Sequence, residues 1–152
     1  MDSAHPGSIR PARASDTAPI AVLLEALGYP TEAHDAAVQL GRALDREDVG
    51  VLVYDEDHSG PVGLITYHVF DLIYRSRPQC RITALAVRGD RRRQGIARAL
   101  LQAVEAIALE RGCFRVELTT HPDRADALGF YESCGYEERR ARLAKVLGST
   151  QP

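Results

Sequence analysis

The chain has 152 residues, of which 45% are hydrophobic and 26% are charged, and its formal net charge is −2. These values are typical of an ordinary globular domain with a sizeable core, and the acidic balance gives no electrostatic reason to expect binding to nucleic acid or to an anionic membrane surface. No apolar run approaches the roughly 20 residues of a membrane-spanning helix, and the three cysteines are too far apart in sequence to indicate a zinc site or a disulfide framework.

The first residues, 1–7, have no apolar signal core and are expected to be a disordered lead-in to a cytoplasmic protein. A short strand is predicted at residues 9–13, where Pro11 indicates an edge strand or a strand end. Asp16 is then expected to cap a first helix, which ends at Gly28.

A second helix is predicted from Thr31, as its cap, to about residue 46. The apolar residues expected on its inner side are Ala37, Leu40 and Leu44. Residues 49–54 are rich in β-branched side chains and predict a strand, which a polar turn at 55–60 joins to a returning strand at 61–70. These two strands should form a hairpin.

After a loop at 71–79, the apolar run at 81–87 predicts a strand that is buried on both faces. The helix that follows Gly95 is the clearest element of the chain, and Gly112 fits its C-terminal stop. Its apolar stripe comprises Ile96, Leu100, Leu101, Val104, Ile107 and Ala108. Residues 114–120 alternate between apolar and polar side chains, as a strand does.

Asp123 or Asp126 is expected to cap a short helix that ends at Gly135, and residues 142–147 predict a last strand. The order of elements is β-α-α-β-β-β-α-β-α-β. The strands before and after the long helix form one βαβ unit and should be parallel, whereas the hairpin makes the sheet mixed. Helices should cover both faces of the sheet, and residues 8–148 should form a single domain.

The segment 91–97 reads Arg-Arg-Arg-Gln-Gly-Ile-Ala and connects the strand at 81–87 to the long helix. A helix N-terminus has unpaired N–H groups and a partial positive charge, so it binds anions. Gly95 allows a ligand to approach the backbone closely, and arginines add charge and forked donors. An arginine run is otherwise most often a solvated face, but this context predicts a site for a phosphate-bearing ligand.

Two motifs together resemble the GNAT superfamily of acetyl-CoA-dependent N-acyltransferases. Residues 92–97 match the acyl-CoA loop R/Q-x-x-G-x-G/A, and residues 127–136 match the pattern A-x-x-F-Y-x-x-x-G-F/Y. The resemblance covers the chain from about Ser8 to Leu147 in element order. It implies an N-acetyltransferase domain over 8–148 with an α/β (α+β) fold, in which a mixed, mostly antiparallel central sheet has a splayed parallel strand pair and helices on both faces.

The resemblance also implies acetyl-CoA as the co-substrate and no metal. The coenzyme pyrophosphate would bind the N–H groups at the start of the long helix, and the pantetheine arm would pair with the strand before it. The residues implied to bind the coenzyme are Leu85, Ala86, Val87, Arg92, Arg93, Gln94, Gly95, Ile96, Ala97, Arg98 and Arg124. Arg124 stands where many relatives have an asparagine. An N–H group of Leu85, Ala86 or Val87 would polarise the thioester carbonyl.

By the same resemblance, Tyr131 is the general acid that protonates the leaving thiolate. From its helical spacing alone, next to Phe130, this tyrosine would more often be a core residue. The general base is less defined, because the strand at 81–87 carries no carboxylate. Glu117 ranks first for this role, since it lies on the strand that flanks the cleft. The alternatives are His121, His68, Asp71 and an ordered water.

The expected reaction is direct attack of a primary amine on the thioester in a ternary complex, since no activated nucleophile is visible. Tyr29 and His121 are candidate contacts to the acceptor. The acceptor is expected to be a small molecule, with a protein lysine or N-terminus as an alternative. A non-catalytic acyl-CoA sensor of the same fold is a second alternative, and a P-loop protein or a nucleic-acid-binding domain is disfavoured. A homodimer is expected.

Overall fold

The computed structural model describes residues 7–57, 60–120, 125–139 and 142–148. The chain forms two compact units, Met1–Leu118 and Thr119–Pro152. The lead-in expected at residues 1–7 lies outside the described residues except for its last position. The single domain expected over residues 8–148 stays a prediction.

The described residues form five strands and four helices, joined by short connections. The strands are β1 (Ser8–Pro11), β2 (Val49–Glu56), β3 (Gly60–Phe70), β4 (Gln79–Val87) and β5 (Val116–Glu117). The helices are α1 (Thr17–Ala26), α2 (Ala33–Leu44), α3 (Ile96–Glu110) and α4 (Ala125–Ser133). Two single turns of 3-10 helix, Ala14–Asp16 and Gly89–Arg91, precede α1 and α3. No helix in the described residues is long and apolar enough to cross a membrane.

The strands form one sheet in the order β1-β2-β3-β4-β5, which lies in the first unit. All neighbouring pairs are antiparallel except β4 and β5, which are parallel. This arrangement confirms the predicted mixed, mostly antiparallel sheet. The predicted hairpin is β2 and β3, and Pro11 ends the edge strand β1, where its missing N–H costs the sheet little.

Helices cover both faces of this sheet, as expected from the layer rule. On one face, α1 and α2 enclose a core with side chains from β2, β3 and β4, comprising Ile20, Leu23, Leu40, Val51, Val53, Leu64 and Ala86. On the other face lies α3. A Cβ atom added to Gly63 would lie 2.9 Å from the Cγ2 atom of Ile96 and 3.1 Å from the Cδ1 atom of Leu100, so this glycine lets α3 approach the sheet closely.

Strand β4 contains a bulge in the middle of its pairing with β3. Thr66 pairs with Ala84 and the next residue, Tyr67, pairs with Ile82, so Thr83 is an extra residue on β4. The hydroxyl groups of Thr66 and Thr83 are hydrogen-bonded to each other. A bulge bends its strand and increases the local twist, and here it lies at the start of the part of β4 that β5 does not pair.

The parallel pair β4–β5 is paired at one end. Its described rungs are Cys80 with Val116 and Arg81 with Glu117. From residue 82 to residue 87, β4 has no described strand partner on the side of β5. The backbone N–H and C=O groups on that side are therefore available to hydrogen-bond a ligand. This is the splayed pair that the resemblance implied.

Two details of the helix predictions are wrong, whereas the predicted cap position of Asp16 is confirmed. Helix α2 begins at Ala33 with Glu32 as its cap, because the hydroxyl of Thr31 donates instead to the carbonyl of Tyr29, at 2.9 Å. Its inward stripe is Ala36, Leu40 and Ala43, at helical spacing, while Ala37 and Leu44 are exposed. Asp16 takes the cap position of α1 but makes no capping bond with its side chain.

The predictions for the C-terminal third hold in part. Within the strand predicted at 114–120, the structure assigns Val116–Glu117 alone. Residues 142–147 form no strand, and the side chain of Leu143 is 95% exposed. An alternating pattern can become a strand only where a neighbouring strand supplies hydrogen bonds. The predicted cap Asp123 lies outside the described residues, and Gly135 follows α4 with a φ of 94°, as a helix stop does.

Candidate active site

The turn between β4 and α3 has an unusual backbone. The N–H of Arg88 donates to the carbonyl of Val62, at 2.8 Å, and ties the start of the turn to β3. After the 3-10 turn, Arg93 has a φ of 63° and Gly95 a φ of 81°, so both are left-handed. Glycine accepts this conformation freely, but an arginine there is uncommon and costs about 1 kcal/mol or more. Such strain is found most often at functional sites.

The start of α3 is open to a ligand. Gly95 is the cap residue and provides no side-chain hydrogen bond, and the first N–H groups of a helix have no partner within the helix. A Cβ atom added to Gly95 would meet no atom within 4 Å. Gln94 and Gly95 are exposed. The helix start therefore offers unshielded N–H donors and the positive end of the helix dipole.

The arginines of the turn divide into two groups. Arg88 pairs with Asp90, at 2.6 Å, and Arg91 pairs with Glu56 of β2, at 2.9 Å. The Arg88 guanidinium holds the pKa of Asp90 below its usual range. The Arg91 pair therefore fixes the turn to the sheet, whereas the Arg88 pair lies within the turn.

Arg92 and Arg93 differ from them. Both are exposed, and neither makes a side-chain hydrogen bond or ion pair with the residues that the structure describes. Arg98 is also exposed and lies in the first turn of α3. Three arginines therefore lie in or next to the open helix start in sequence, which suits a pyrophosphate or phosphate group.

The predicted coenzyme residues of β4 lie next to this turn. Leu85, Ala86 and Val87 are the last three residues of the strand, in the part that β5 does not pair. The structure thus brings together the coenzyme-binding residues predicted at 85–87 and at 92–98, all within the first unit. Arg124, the remaining one, lies outside the described residues.

Glu117 lies at the paired end of β4 and β5, away from Leu85. Nε of Arg81 donates to Oε1 of Glu117 at 2.8 Å, Nη2 of Arg81 donates to the same oxygen, and Nη2 of Arg115 donates to Oε2 at 3.4 Å. Because Arg81 is its register partner, Glu117 is about 13 Å along the strand from Leu85. The structure does not bring this carboxylate to the end of β4.

The other candidate bases are placed as follows. Nε2 of His68 lies 3.0 Å from Oδ2 of Asp48, and its ring packs against Phe70, at 5.1 Å between centroids. The pKa of Asp48 is held well below its usual range, first by Arg46 and then by His68. Asp71 is exposed just after β3. His121 lies outside the described residues.

Tyr131 lies in α4, in the second unit. Its ring packs edge-on against those of Phe130 and Tyr136, with centroids 5.2 and 6.0 Å apart. The N–H groups of Tyr136 and Cys134 both donate to its backbone carbonyl, at 3.0 Å, and close the end of the helix. The tyrosine is partly exposed, so it packs on one side without being enclosed.

Tyr29 lies in the connector between α1 and α2. Its side chain is 65% exposed, and its N–H donates to the carbonyl of Leu24, at 2.9 Å. The connector therefore presents an aromatic ring to the outside without packing it into the core.

Two of the three cysteines, Cys80 and Cys113, do not have the properties of a nucleophile. Burial raises the pKa of the Cys80 thiol to about 11 and also raises the pKa of Cys113. Both side chains are therefore neutral at neutral pH, and the thiolate is the reactive form. Cys134 is a free thiol and partly exposed.

The sequence analysis missed the bulge at Thr83. A β-branched residue in an apolar run gives no sign that it is an extra residue in the pairing. The hydroxyl pair of Thr66 and Thr83 lies beside the point where β4 departs from β5, at the start of the gap between the two strands.

Comparisons with known proteins agree with this geometry. The model of the acetyltransferase (GNAT) family matches residues 19–136, more than half of the chain. Among solved structures, the chain is similar to a transcriptional regulator from Bacillus halodurans, with a TM-score of 0.84 and 23% identity over 93% of this chain and 99% of that chain.

Two further solved structures are similar. A GNAT family acetyltransferase from Staphylococcus aureus has a TM-score of 0.79 and 21% identity over 93% of this chain and 99% of that chain. Glucosamine-6-phosphate N-acetyltransferase from Arabidopsis thaliana has a TM-score of 0.81 and 18% identity over 93% of this chain and 98% of that chain. At these identities the structures show the shared fold. With the family match over residues 19–136, the resemblance indicated by the two motifs is confirmed, and the chain belongs to the acetyltransferase (GNAT) family.

Proposed function

We propose that this protein transfers an acetyl group from acetyl-CoA to a primary amine of a small molecule, by direct attack in a ternary complex. The observation that carries the proposal is the open start of α3, where a left-handed Gly95 and the exposed Arg92 and Arg93 leave unshielded N–H donors next to an unpaired end of β4. That combination is suited to a ligand that carries both a pyrophosphate and an amide chain.

The residues present fit the coenzyme. The N–H groups from Gln94 to Arg98 would bind the pyrophosphate, since a helix start binds anions and a side chain at Gly95 would obstruct the approach. Arg92 and Arg93 would add charge. The unpaired backbone of residues 85–87 would hydrogen-bond the amide groups of the pantetheine arm, as a neighbouring strand would.

Acetyl-CoA supplies a thioester carbonyl that an amine can attack. In the proposed reaction, an N–H group among Leu85, Ala86 and Val87 polarises this carbonyl. Tyr131 donates its phenolic proton to the leaving thiolate, because a tyrosine with a pKa of about 10 still holds its proton at neutral pH.

The acceptor amine must also lose a proton, since an alkylammonium has a pKa of about 10.4. Glu117 is the predicted base, and its carboxylate is occupied by Arg81 and Arg115. Because these arginines engage the Glu117 carboxylate, the alternative base is favoured, which is an ordered water that carries the proton to solvent. Tyr29 and His121 are proposed to contact the acceptor.

The proposal is tested first by isothermal titration of the purified protein with acetyl-CoA, with ATP and buffer as controls. Micromolar binding of acetyl-CoA without binding of ATP supports it, and no binding of acetyl-CoA contradicts it. Release of free thiol is then measured with a panel of amino acids, polyamines and aminosugars, and with lysine-containing and N-terminal peptides. Faster release with peptides than with small amines would contradict the proposed acceptor class.

A non-catalytic sensor of acyl-CoA is a second candidate, and one observation favours it. The strand β4 carries no carboxylate from residue 82 to residue 87, and the carboxylate on the adjacent strand, Glu117, is neutralised by arginines. A sensor binds acetyl-CoA and releases no thiol with any amine in the panel. Thiol release that depends on both the amine and Tyr131 would exclude it.

A further inference from the structure

A small cavity lies at the opposite end of β4 from the basic turn. It has a volume of about 180 Å³ and is lined by Arg75, Ser76, Arg77 and Phe114. Its arginines precede β4, which runs nine residues from Gln79 to Val87, about 26 Å at the usual rise per residue. The cavity is therefore separate from the proposed coenzyme site.

Two guanidinium groups share one aromatic ring in this region. The Cζ atom of Arg75 lies 4.7 Å from the centroid of Phe114, and the Cζ atom of Arg115 lies 5.1 Å from it. An arginine stacked on a ring uses the face of its guanidinium group and keeps its N–H edge for acceptors. The ring thus holds two positive charges close together, and the side-chain N–H groups of Arg75 make no hydrogen bond with the residues that the structure describes.

The positive charge in this region is neutralised only in part. Nε of Arg115 donates to the amide oxygen of Gln79, at 2.7 Å, which is a neutral partner with a side chain that is almost fully buried. Its contact with Glu117 is long, at 3.4 Å, and Glu117 is also bound by Arg81.

The other two arginines have no acidic partner at all among the residues that the structure describes. Arg75 and Arg77 make no side-chain hydrogen bond or ion pair there, and Asp71 of the same loop does not pair with them. Like charges repel, so holding the guanidinium groups of Arg75 and Arg115 on one ring, with Arg77 lining the same cavity as Arg75, costs free energy unless an anion joins them. In a chain of net charge −2, this local excess of positive charge stands out.

We propose that this cavity binds the phosphate group of a small phosphate monoester. A phosphate group accepts hydrogen bonds at three oxygens and carries nearly two negative charges, which suits several guanidinium forks. The hydroxyl of Ser76 adds a further donor. The small volume and the limit of three arginines fit a small molecule and not a long polyanion. The proposal goes beyond acetyl transfer, because it concerns a different end of the sheet.

The first test is thermal unfolding with glycerol 3-phosphate, with inorganic phosphate, and with sodium chloride at the same ionic strength. At a concentration ten times the dissociation constant, the ester should raise the Tm by about 2–5 °C relative to the chloride control. No rise with the ester contradicts the proposal. A rise with inorganic phosphate alone also contradicts it, because the site would then be a simple anion pocket.

Variants locate the effect, because a phosphate could also bind the basic turn. Arg77→Gln should weaken the binding of glycerol 3-phosphate at least tenfold, and this change leaves the stacking of Arg75 and Arg115 on Phe114 in place. The matched control is the double variant Arg92→Gln with Arg93→Gln, which should retain the rise in Tm. If glycerol 3-phosphate raised the Tm of Arg77→Gln but not that of the double variant, the assignment of the phosphate site to this cavity would be overturned.

Nuclear magnetic resonance gives a second localisation that does not depend on any variant. In the ¹⁵N-labelled protein, glycerol 3-phosphate should shift the backbone amides of Ser76, Arg77 and Phe114 with a common dissociation constant. The amide of Gly95 should not follow that curve. Shifts confined to Gly95 and its neighbours would contradict the proposal.

Discussion

Glu117 and Arg81 are register partners on adjacent parallel strands, and the Arg81 guanidinium donates both Nε and Nη2 to one oxygen of the Glu117 carboxylate. Arg115 donates to the other carboxylate oxygen, so Glu117 links three side chains at the end where β4 and β5 are paired. Both carboxylate oxygens are therefore engaged by arginine donors, and the carboxylate lies about 13 Å along β4 from Leu85.

For this reason we expect Glu117→Gln to lower kcat by less than about tenfold, well short of the factor of 100 or more that removal of a general base gives. The measurement is the pH profile of thiol release for the wild type and the variant. A loss of 100-fold or more, with the acidic limb of the profile removed, would instead assign the role of base to Glu117.

Gly95 is the position where a side chain should block the coenzyme. Gly95→Leu is expected to reduce acetyl-CoA binding at least 100-fold in isothermal titration, since the added side chain would occupy the open space at the start of α3. The matched control is Gly112→Leu at the other end of α3, where the φ is also left-handed, at 77°, and where a Cβ atom also meets nothing within 4 Å. Both changes should lower the free energy of unfolding by about 1–2 kcal/mol. Equal binding by the two variants would remove the helix start from the coenzyme site.

Tyr131 is expected to act on turnover more than on affinity. Tyr131→Phe should lower kcat by a factor of about 10² to 10⁴ and change the acetyl-CoA dissociation constant less than threefold. Tyr136→Phe is the control, because this ring packs against Tyr131 at 6.0 Å and loses the same hydroxyl group in the substitution. Equal losses of kcat in the two variants would indicate a shared packing role.

Gly63 sets the distance between α3 and the sheet. Gly63→Ala should lower the free energy of unfolding by about 1–3 kcal/mol, because the new Cβ atom would lie 2.9 Å from Ile96. Gly41→Ala in α2 adds the same methyl group where nothing lies within 4 Å, and should raise stability by about 0.5–1 kcal/mol. Urea unfolding measures both changes. A neutral result at Gly63 would show that α3 shifts without cost.

The buried Asp16 should make stability depend on pH. The guanidinium of Arg10 binds both oxygens of Asp16, at 2.8 and 2.9 Å, and this contact lowers the pKa of the carboxyl. Because the pKa is lower in the folded state than in the unfolded state, the contribution is complete above about pH 4 and is lost as the pH falls through the folded value.

Asp16→Asn should therefore lower the free energy of unfolding by about 2–4 kcal/mol at pH 7, since it leaves the half-buried Arg10 with Asp55 as its remaining acidic partner. The difference from the wild type should shrink as the pH is lowered from 5 to 2 in thermal unfolding. A difference that stays constant with pH would show that the ion pair itself contributes little.

The parts of the fold that depend on local pattern could be predicted from the sequence. The stripe of α3 holds from Ile96 to Ala108, and the hairpin of β2 and β3 appears close to its expected place. The open turn at Gly95 follows from the same local reasoning, because a glycine and arginines between a strand and a helix favour an anion site.

The parts of the fold that depend on pairing between residues distant in sequence could not be predicted from the sequence. The strand expected at 114–120 is only two residues long, because its neighbour β4 pairs with it no further than Arg81. Neither segment contains a sequence pattern that predicts where this pairing ends. The arginine partners of Glu117 were missed for the same reason. A cross-strand partner is set by register, and register is a property of two strands together.

The extra residue in β4 changes the phase of the strand. Before Thr83, the odd-numbered Arg81 lies on the face that carries His68; after it, the even-numbered Ala84 and Ala86 lie on that face. If β4 paired regularly with all of its residues retained, Ala86 would leave the core face and Leu85 and Val87 would turn over, whereas deletion of Thr83 would keep all three on their present faces. In an alignment of this chain with its relatives, a relative without the bulge must accordingly have a gap opposite position 83. Otherwise every side chain beyond that position is compared with one from the opposite face of the sheet.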